Sequence, residues 1–411
     1  MAEEKVVVRE KKGEEVDYEE LRLIRLCKST LSLYNESIDF RYRGRVIFMN
    51  MKKKAAAACV AVMAAVSLPM GIVPVQPVQA DLITDVIGGL QVKSALSKQI
   101  KHYDTTKEGQ NEIYQAVTKR TGVLDNEYYN ERLASIMNRL SHSIAQTDSS
   151  IKTLPYRWYV SPDKTFNAAC TMGHVMIVNK GMFDLVSNDD EIAVVLGHEM
   201  GHGQKHHVAN STQKKVNVEI GKMVLADTIG GSGLNNLILN TISNQIETVH
   251  IDRAAEWEAD NLSFGYITGA GYNPGATAAI WQRVMEKYGD NTSDFVGEIF
   301  SPSDHPSHQE RRDSYAKKLY EMSGKHASVK DGTVYVNGKK FIKPAATYSM
   351  SSAERSYFVL GNLAAAYQNG HSKQPATASG GTLYLGPQNI MTPVNGDPSA
   401  EELAAQLNKI K

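Results

Sequence analysis

Apolar side chains recur every three or four positions over long stretches of the chain, which predicts a mostly helical protein. In residues 127–144 this spacing forms one stripe through Leu133, Ile136, Met137 and Leu140, typical of an amphipathic helix. Comparable patterns predict further helices over residues 188–204, 213–227, 235–246, 248–267, 273–288, 352–368 and 400–410.

Short runs rich in aromatic and β-branched residues interrupt the helical pattern and predict strands. They cover residues 156–160, 167–170 and 174–179, and alternation around Asn337-Gly338 predicts a β-hairpin over 333–342. Residues 369–381 are polar and predict a linker, and we detect no repeat with a period of 20–50 residues. The expected fold class is therefore α+β, dominated by helices, with a small sheet.

Composition excludes several classes of protein. The 45 Lys and Arg residues balance 45 Asp and Glu residues, so the chain lacks the basic charge typical of nucleic-acid binding. An apolar content of 42% is ordinary for a globular protein and excludes collagen-like or wholly disordered chains. Three cysteines are too few for a disulfide framework.

Residues 51–80 have the pattern of a secretory signal peptide. A basic start is followed by an apolar run, and small residues precede an expected cleavage after Ala80. The alternative is an uncleaved membrane anchor, but Pro69 and Pro74 interrupt the run before the roughly 20 apolar residues that a spanning helix needs. We expect an exported mature chain with no membrane span.

Residues 1–50 precede this signal and are charged without an amphipathic period. We interpret them as an upstream extension arising from a misassigned start; the alternative is a cytoplasmic arm on a signal anchor.

Residues 198–202 read His-Glu-Met-Gly-His, the HExxH pattern. Because His198 and His202 are four apart on a predicted helix, both imidazoles face the same way and can bind one zinc ion. Glu199 can reach a zinc-bound water as general base. Gly201 lies mid-helix at a cost of about 1 kcal/mol, which indicates close packing below the metal. The alternative is a surface helix with incidental histidines.

A catalytic zinc needs a third protein ligand, and the segment Arg-Ala-Ala-Glu-Trp-Glu-Ala-Asp at 253–260 offers one. Glu256 is the preferred ligand because it lies on an apolar helix face, where an unpaired carboxylate is costly. Asp260, four residues later, can accept a hydrogen bond from the outer nitrogen of a ligating histidine. Glu219 is a rival third ligand, and Glu258 points away from the site.

The HExxH motif, followed by the segment at 253–260, resembles the motifs of the M48 (Ste24-like) zinc metallopeptidases, which are gluzincins. Two further segments match that family, and all four occur in the family's order. The stretch from Asn167 to Val175 is similar to their Asn-Ala-x-x-x-x-Gly-x-Val block, and Asp304-His305-Pro306 with Arg311 resembles their His-Pro…Arg motif. The substrate block departs from the family at residues 170–172, where Cys-Thr-Met replaces the more usual residues.

The resemblance implies roles for the matched residues. It implies one zinc ion per chain, bound by His198, His202 and Glu256, with Glu199 activating water. His305 would stabilise the oxyanion or block the open metal position at rest, and Arg311 would anchor the fold by ion pairing. The strand at Gly173–Val175, with Asn167 and Ala168, would be the edge that pairs with an extended substrate. We expect the remaining histidines near these motifs, His174, His206, His207 and His308, to be surface residues.

The resemblance also implies a domain organisation and a function. An M48-like metallopeptidase domain would occupy residues 81–326. Residues 327–411 match no part of the family pattern, and from their hairpin and helices we expect a C-terminal extension that caps the cleft or docks a partner. The expected enzyme is a periplasmic or cell-envelope endopeptidase that acts on unfolded or misassembled envelope proteins, with envelope assembly machinery as a further partner. The alternative is a chaperone-like binding protein with a latent zinc site.

Overall fold

The computed structural model describes residues 37–42, 45–50, 94–224, 252–289 and 306–411. Side chains are described for residues 94–215, 252–289 and 306–411. The chain divides into two units, Met1–Lys93 and Ser94–Lys411. In the first, β1 (Ser37–Tyr42) pairs antiparallel with β2 (Arg45–Asn50). The predicted signal peptide lies outside the described residues.

The second unit is mostly helical. Its described helices are α1 (94–105), α2 (Lys107–Thr121), α3 (Glu127–Thr147), α4 (Ser150–Thr153), α5 (Lys180–Leu185), α6 (Asp189–Gln204), α7 (His207–Val224), α8 (Arg253–Gly269), α9 (Ala276–Tyr288), α10 (His308–Met322), α11 (Ser352–Gln368) and α12 (Ala400–Ile410). As expected from the sequence, α6 begins after Asn188, whose side chain accepts a hydrogen bond from the backbone N–H of Glu191. Within the described ranges, none of the helices combines the length and the apolar character needed to cross a membrane.

A three-stranded sheet lies next to these helices. It consists of β3 (Arg157–Ser161), β4 (Ala168–Thr171) and β5 (Val175–Asn179), in the order β3-β5-β4. β5 pairs parallel with β3 and antiparallel with β4, so both of its sides are hydrogen-bonded. The expectation that the Gly173–Val175 strand is an edge is therefore wrong. Gly173 lies in the tight turn before β5, and β3 and β4 are the two edge strands, of which β4 lies beside α6.

The C-terminal part contains two copies of one topology. Strands β6 (Ala327–Lys330), β7 (Thr333–Val336) and β8 (Lys339–Ile342) precede α11, and strands β9 (Ala376–Ser379), β10 (Thr382–Leu385) and β11 (Gln388–Met391) precede α12. The predicted hairpin at Asn337-Gly338 is confirmed, because both residues have positive φ between β7 and β8.

The two copies also share local details. The central strand of each sheet has a register irregularity at the same step, Val334/Tyr335 in one and Leu383/Tyr384 in the other. Each following helix starts with a serine and glutamate capping box. The expectation of no repeat is therefore wrong, and the predicted linker over 369–381 contains β9. Few side chains are identical between the copies, because a strand of this length needs only alternating apolar positions.

The C-terminal part shares one apolar core with the helices around α6. Buried residues from both, including Leu196, Ile267, Leu360 and Leu383, belong to one contact cluster. A charged contact adds to this packing, because Arg283 on α9 bonds Glu191 in the first turn of α6 and Glu354 in the first turn of α11, at 3.1 and 3.2 Å. Arg283 thus connects the start of α6, the helix that carries the HExxH motif, to α11 in the C-terminal part.

Glu354 is expected to make the protein less stable as pH rises. Burial, opposed by the charge of Arg283, raises the pKa of Glu354 to about 7 from its ordinary value of 4.5. Because the unfolded chain releases this proton at lower pH, the free energy of unfolding falls as pH rises from about 4.5 to about 7. In Glu354→Gln we expect the free energy of unfolding to lose up to about 3 kcal/mol less than wild type over this pH range. Urea unfolding at several pH values measures this difference. The exposed control Glu321→Gln should keep the wild-type pH dependence, and an unchanged pH dependence in Glu354→Gln would contradict the prediction.

Candidate metal site

The site forms where α6 crosses α8, and two glycines allow the close approach. A Cβ atom on Gly201 would lie 3.1 Å from Ala259 Cα, and one on Gly197 would lie 3.0 Å from Ser263 Oγ. The close packing expected at Gly201 is confirmed, and it brings the backbone of α8 near enough for a glutamate side chain to reach the histidines of α6.

Three side chains converge at this crossing. His198 Nε2 and His202 Nε2 are 2.9 Å apart, and the Glu256 carboxylate oxygens lie 3.5 and 3.3 Å from them. All three residues are at most 2% exposed. Among the described residues they form the one group of three or more such side chains that could hold a metal ion. Two imidazole nitrogens and one carboxylate are a donor set found at catalytic zinc sites.

Asp260 orients the first of these histidines. Its Oδ1 accepts a hydrogen bond from His198 Nδ1 at 2.9 Å, which leaves Nε2 directed at the site, as the sequence predicted. Arg311 bonds both oxygens of Asp260, and its guanidinium lies 3.9 Å from the centre of the Trp281 ring. Burial raises the pKa of Asp260, but the charge of Arg311 and the contact with His198 together outweigh this effect and hold that pKa below its ordinary value.

The two histidines differ in proton affinity. Burial and the charge of Arg311 lower the pKa of His198, but the hydrogen bonds to Asp260 and Glu256 and the nearby carboxylate charges together raise it, to about 9. Burial lowers the pKa of His202, and the neighbouring His198 lowers it further. The carboxylates of Glu256 and Asp260 therefore favour a positive charge at His198.

Glu199 lies beside the triad on the same helix. Its Oε2 accepts a hydrogen bond from the backbone N–H of Cys170 in β4 at 3.1 Å, while its buried Oε1 has no hydrogen-bond partner among the described residues. Burial raises the pKa of Glu199 to about 7. A carboxylate with one fixed and one open oxygen can take up a proton from a molecule in the site.

The nearby histidines are mostly not surface residues, contrary to expectation. His174 is buried and stacks on Tyr156, and His308 is buried and stacks on Trp281. His207 is also largely buried, with Nδ1 2.8 Å from Nδ1 of His202. Only His206 of these four has a half-exposed side chain, paired with Asp104. Spacing alone does not reveal these positions, because the turn between α6 and α7 sets the direction of His207, and contacts with distant segments bury His174 and His308.

Other predicted site residues are only partly described. His305 lies outside the described residues, and Glu219 belongs to α7 beyond the part whose side chains are described. Glu258 is about half exposed, as expected, although it contacts His207 at 3.2 Å. Ala168 begins β4, which is an edge strand, and Asn167 immediately precedes it.

Comparisons with known proteins agree with this geometry. Residues 128–317 match peptidase family M48. The chain is 26% identical over 163 residues to the mitochondrial metalloendopeptidase OMA1 of Arabidopsis thaliana, covering 40% of this chain and 31% of that protein. It is 24% identical over 166 residues to a putative beta-barrel assembly-enhancing protease of Vibrio cholerae, covering 38% and 34%.

A shorter relative is matched over more of its length. The chain is 26% identical over 196 residues to the metalloprotease LoiP of Escherichia coli, covering 47% of this chain and 72% of that protein. The chain thus spans about a third of the length of the first two relatives.

Proposed function

The chain belongs to peptidase family M48 through residues 128–317, and from this premise we propose that it is a zinc-dependent endopeptidase. The observation that carries the proposal is the convergence of His198, His202 and Glu256 next to a buried carboxylate, Glu199, with one open oxygen. His198 and His202 would bind one zinc ion through Nε2, and Glu256 would bind it through its carboxylate.

The chain's own groups divide the catalytic work. A zinc ion held there would act as a Lewis acid and lower the pKa of a bound water towards neutrality. Glu199 accepts the water proton at Oε1, and its pKa of about 7 lets it pass that proton to the leaving amine. The hydrogen bond from Cys170 to Oε2 keeps the carboxylate aimed at the site. For His305 we propose hydrogen bonding to the oxyanion, as the family resemblance implies.

The edge strand β4 offers a place for an extended substrate. Cys170 directs its N–H towards Glu199 and away from β5, and Ala168, two positions earlier, shares that orientation. A substrate backbone pairing along this side of β4 would reach the reacting groups with little demand on its sequence. Such binding suits unfolded segments, since a folded protein has few free extended strands.

We further propose that the substrates are unfolded or misassembled envelope proteins and that the chain is exported to the periplasm or cell envelope. The support is the signal-peptide pattern over 51–80 together with the similarity to a beta-barrel assembly-enhancing protease. Envelope assembly machinery would then be a partner.

Metal removal tests the proposed activity. The purified protein is expected to contain about one zinc ion per chain and to cleave reduced, unfolded casein. Dialysis against a chelator should abolish cleavage, and added zinc should restore it. The readouts are metal content by mass spectrometry and release of peptide fragments. A zinc-free protein with full peptidase activity would contradict the proposal.

A further inference from the structure

Each imidazole of the triad has a second nitrogen that faces away from the site, and the two are held differently. His198 Nδ1 is held by the carboxylate of Asp260. His202 Nδ1 instead lies 2.8 Å from Nδ1 of His207, with the two rings 5.0 Å apart between centroids and tilted by 66°.

The connection between α6 and α7 directs His207 back to the site. α6 ends at Gln204, and His206 adopts a left-handed conformation with φ of 53° before α7 begins at His207. Such a conformation is uncommon for a residue other than glycine. Because of this turn, the side chain of His207 points back towards α6 and packs against His202.

The partners of His207 determine which nitrogen carries its proton. His207 Nε2 lies 3.2 Å from Oε2 of Glu258, and the other oxygen of Glu258 lies 3.3 Å from Lys205 Nζ. Because an ionised carboxylate can only accept hydrogen bonds, His207 donates one to Glu258 through Nε2–H. Nδ1 of a neutral His207 is then a hydrogen-bond acceptor. His202 then donates through Nδ1–H, which leaves the Nε2 lone pair of His202 directed at His198 and Glu256.

We propose that His207 is a positioning residue for the metal ligand His202, fixed in turn by Glu258. This role rests on the proposed zinc site. His207 sets the tautomer and ring orientation of His202, as Asp260 does for His198, and so increases the affinity for the metal. It does not touch the metal or the substrate.

Zinc affinity of the full-length chain, measured by competition with a chromogenic chelator, tests the proposal. His207→Ala is expected to weaken zinc binding about 10- to 100-fold. His207→Gln should recover most of that loss, because a glutamine amide can accept from His202 and donate to Glu258. Cobalt-substituted protein provides a spectroscopic readout, since a reoriented His202 shifts the visible absorption bands.

Two further variants complete the test. His142→Ala is the matched control, because His142 is an exposed histidine on α3 that contacts Gln146, so its loss should leave zinc affinity unchanged. Glu258→Ala removes the anchor of His207 at a half-exposed position, so it should fold even if His207→Ala does not, and it should weaken zinc binding by a smaller factor.

The outcomes separate this inference from the proposed function. Zinc affinities of His207→Ala and Glu258→Ala within twofold of wild type, or a loss in His207→Ala that His207→Gln does not reduce, would overturn the positioning role. A wild-type protein that binds no zinc would contradict the proposed function itself.

Discussion

Glu199→Gln is expected to lower kcat/KM for peptide hydrolysis by about 10²- to 10⁴-fold, the usual contribution of a general base. The amide keeps the size of the side chain and can still accept the Cys170 N–H, so the position of residue 199 is preserved. It cannot take up the proton of the attacking water. Zinc content should remain that of wild type, because Glu199 is not one of the three converging ligands.

The matched control for this variant is Glu131→Gln on α3, an exposed glutamate far from the site in sequence, which should leave kcat/KM unchanged. Full peptidase activity in Glu199→Gln would contradict the assigned mechanism. The same variant tests the chaperone-like alternative, because a binding protein with a latent site would restore the envelope of a deletion strain without Glu199, whereas a peptidase would not.

Arg311→Met is expected to lower the free energy of unfolding by about 3–5 kcal/mol, as when one partner of a buried ion pair is removed. Arg311 is 1% exposed, bonds both oxygens of Asp260 and lies within 4.0 Å of the Glu256 carboxylate. Without it, the metal-free protein holds two buried carboxylates with less compensating charge. Urea unfolding of the chelator-treated protein at neutral pH measures this effect.

Two variants make this result specific. Lys317→Met, at an exposed position on the same helix, also removes a positive charge and should cost no more than about 1 kcal/mol. Arg311→Lys keeps the charge but loses the two-pronged contact, so its loss should be intermediate. An Arg311→Met protein within about 1 kcal/mol of wild type would show that Asp260 and Glu256 do not depend on this cation.

The spacing of residues along the sequence was sufficient to predict which side chains of the site lie together on one helix. His198, Glu199 and His202 share one helix face because of the 3.6-residue period, and Glu256 and Asp260 share another for the same reason. The cap at Asn188 and the hairpin at Asn337-Gly338 were also predictable, since both depend on residues within a few positions of each other.

The role of His207 was not predictable in this way. Its direction depends on the left-handed turn at His206, and a histidine has no strong preference for that conformation. The C-terminal duplication was missed for a different reason. Its two copies share strand lengths, a register irregularity and helix caps rather than many identical side chains.

The sequence by itself determined which three side chains converge as the proposed metal ligands, the helices that carry them and most element boundaries, because these follow from interactions between residues close along the chain. Only the tertiary structure decided that β5 is central and β4 is an edge strand, that glycines let α6 pack against α8, and that Arg283 connects the C-terminal repeats to α6. Those features arise from contacts between distant segments, and the free energy of such contacts depends on how whole surfaces fit together.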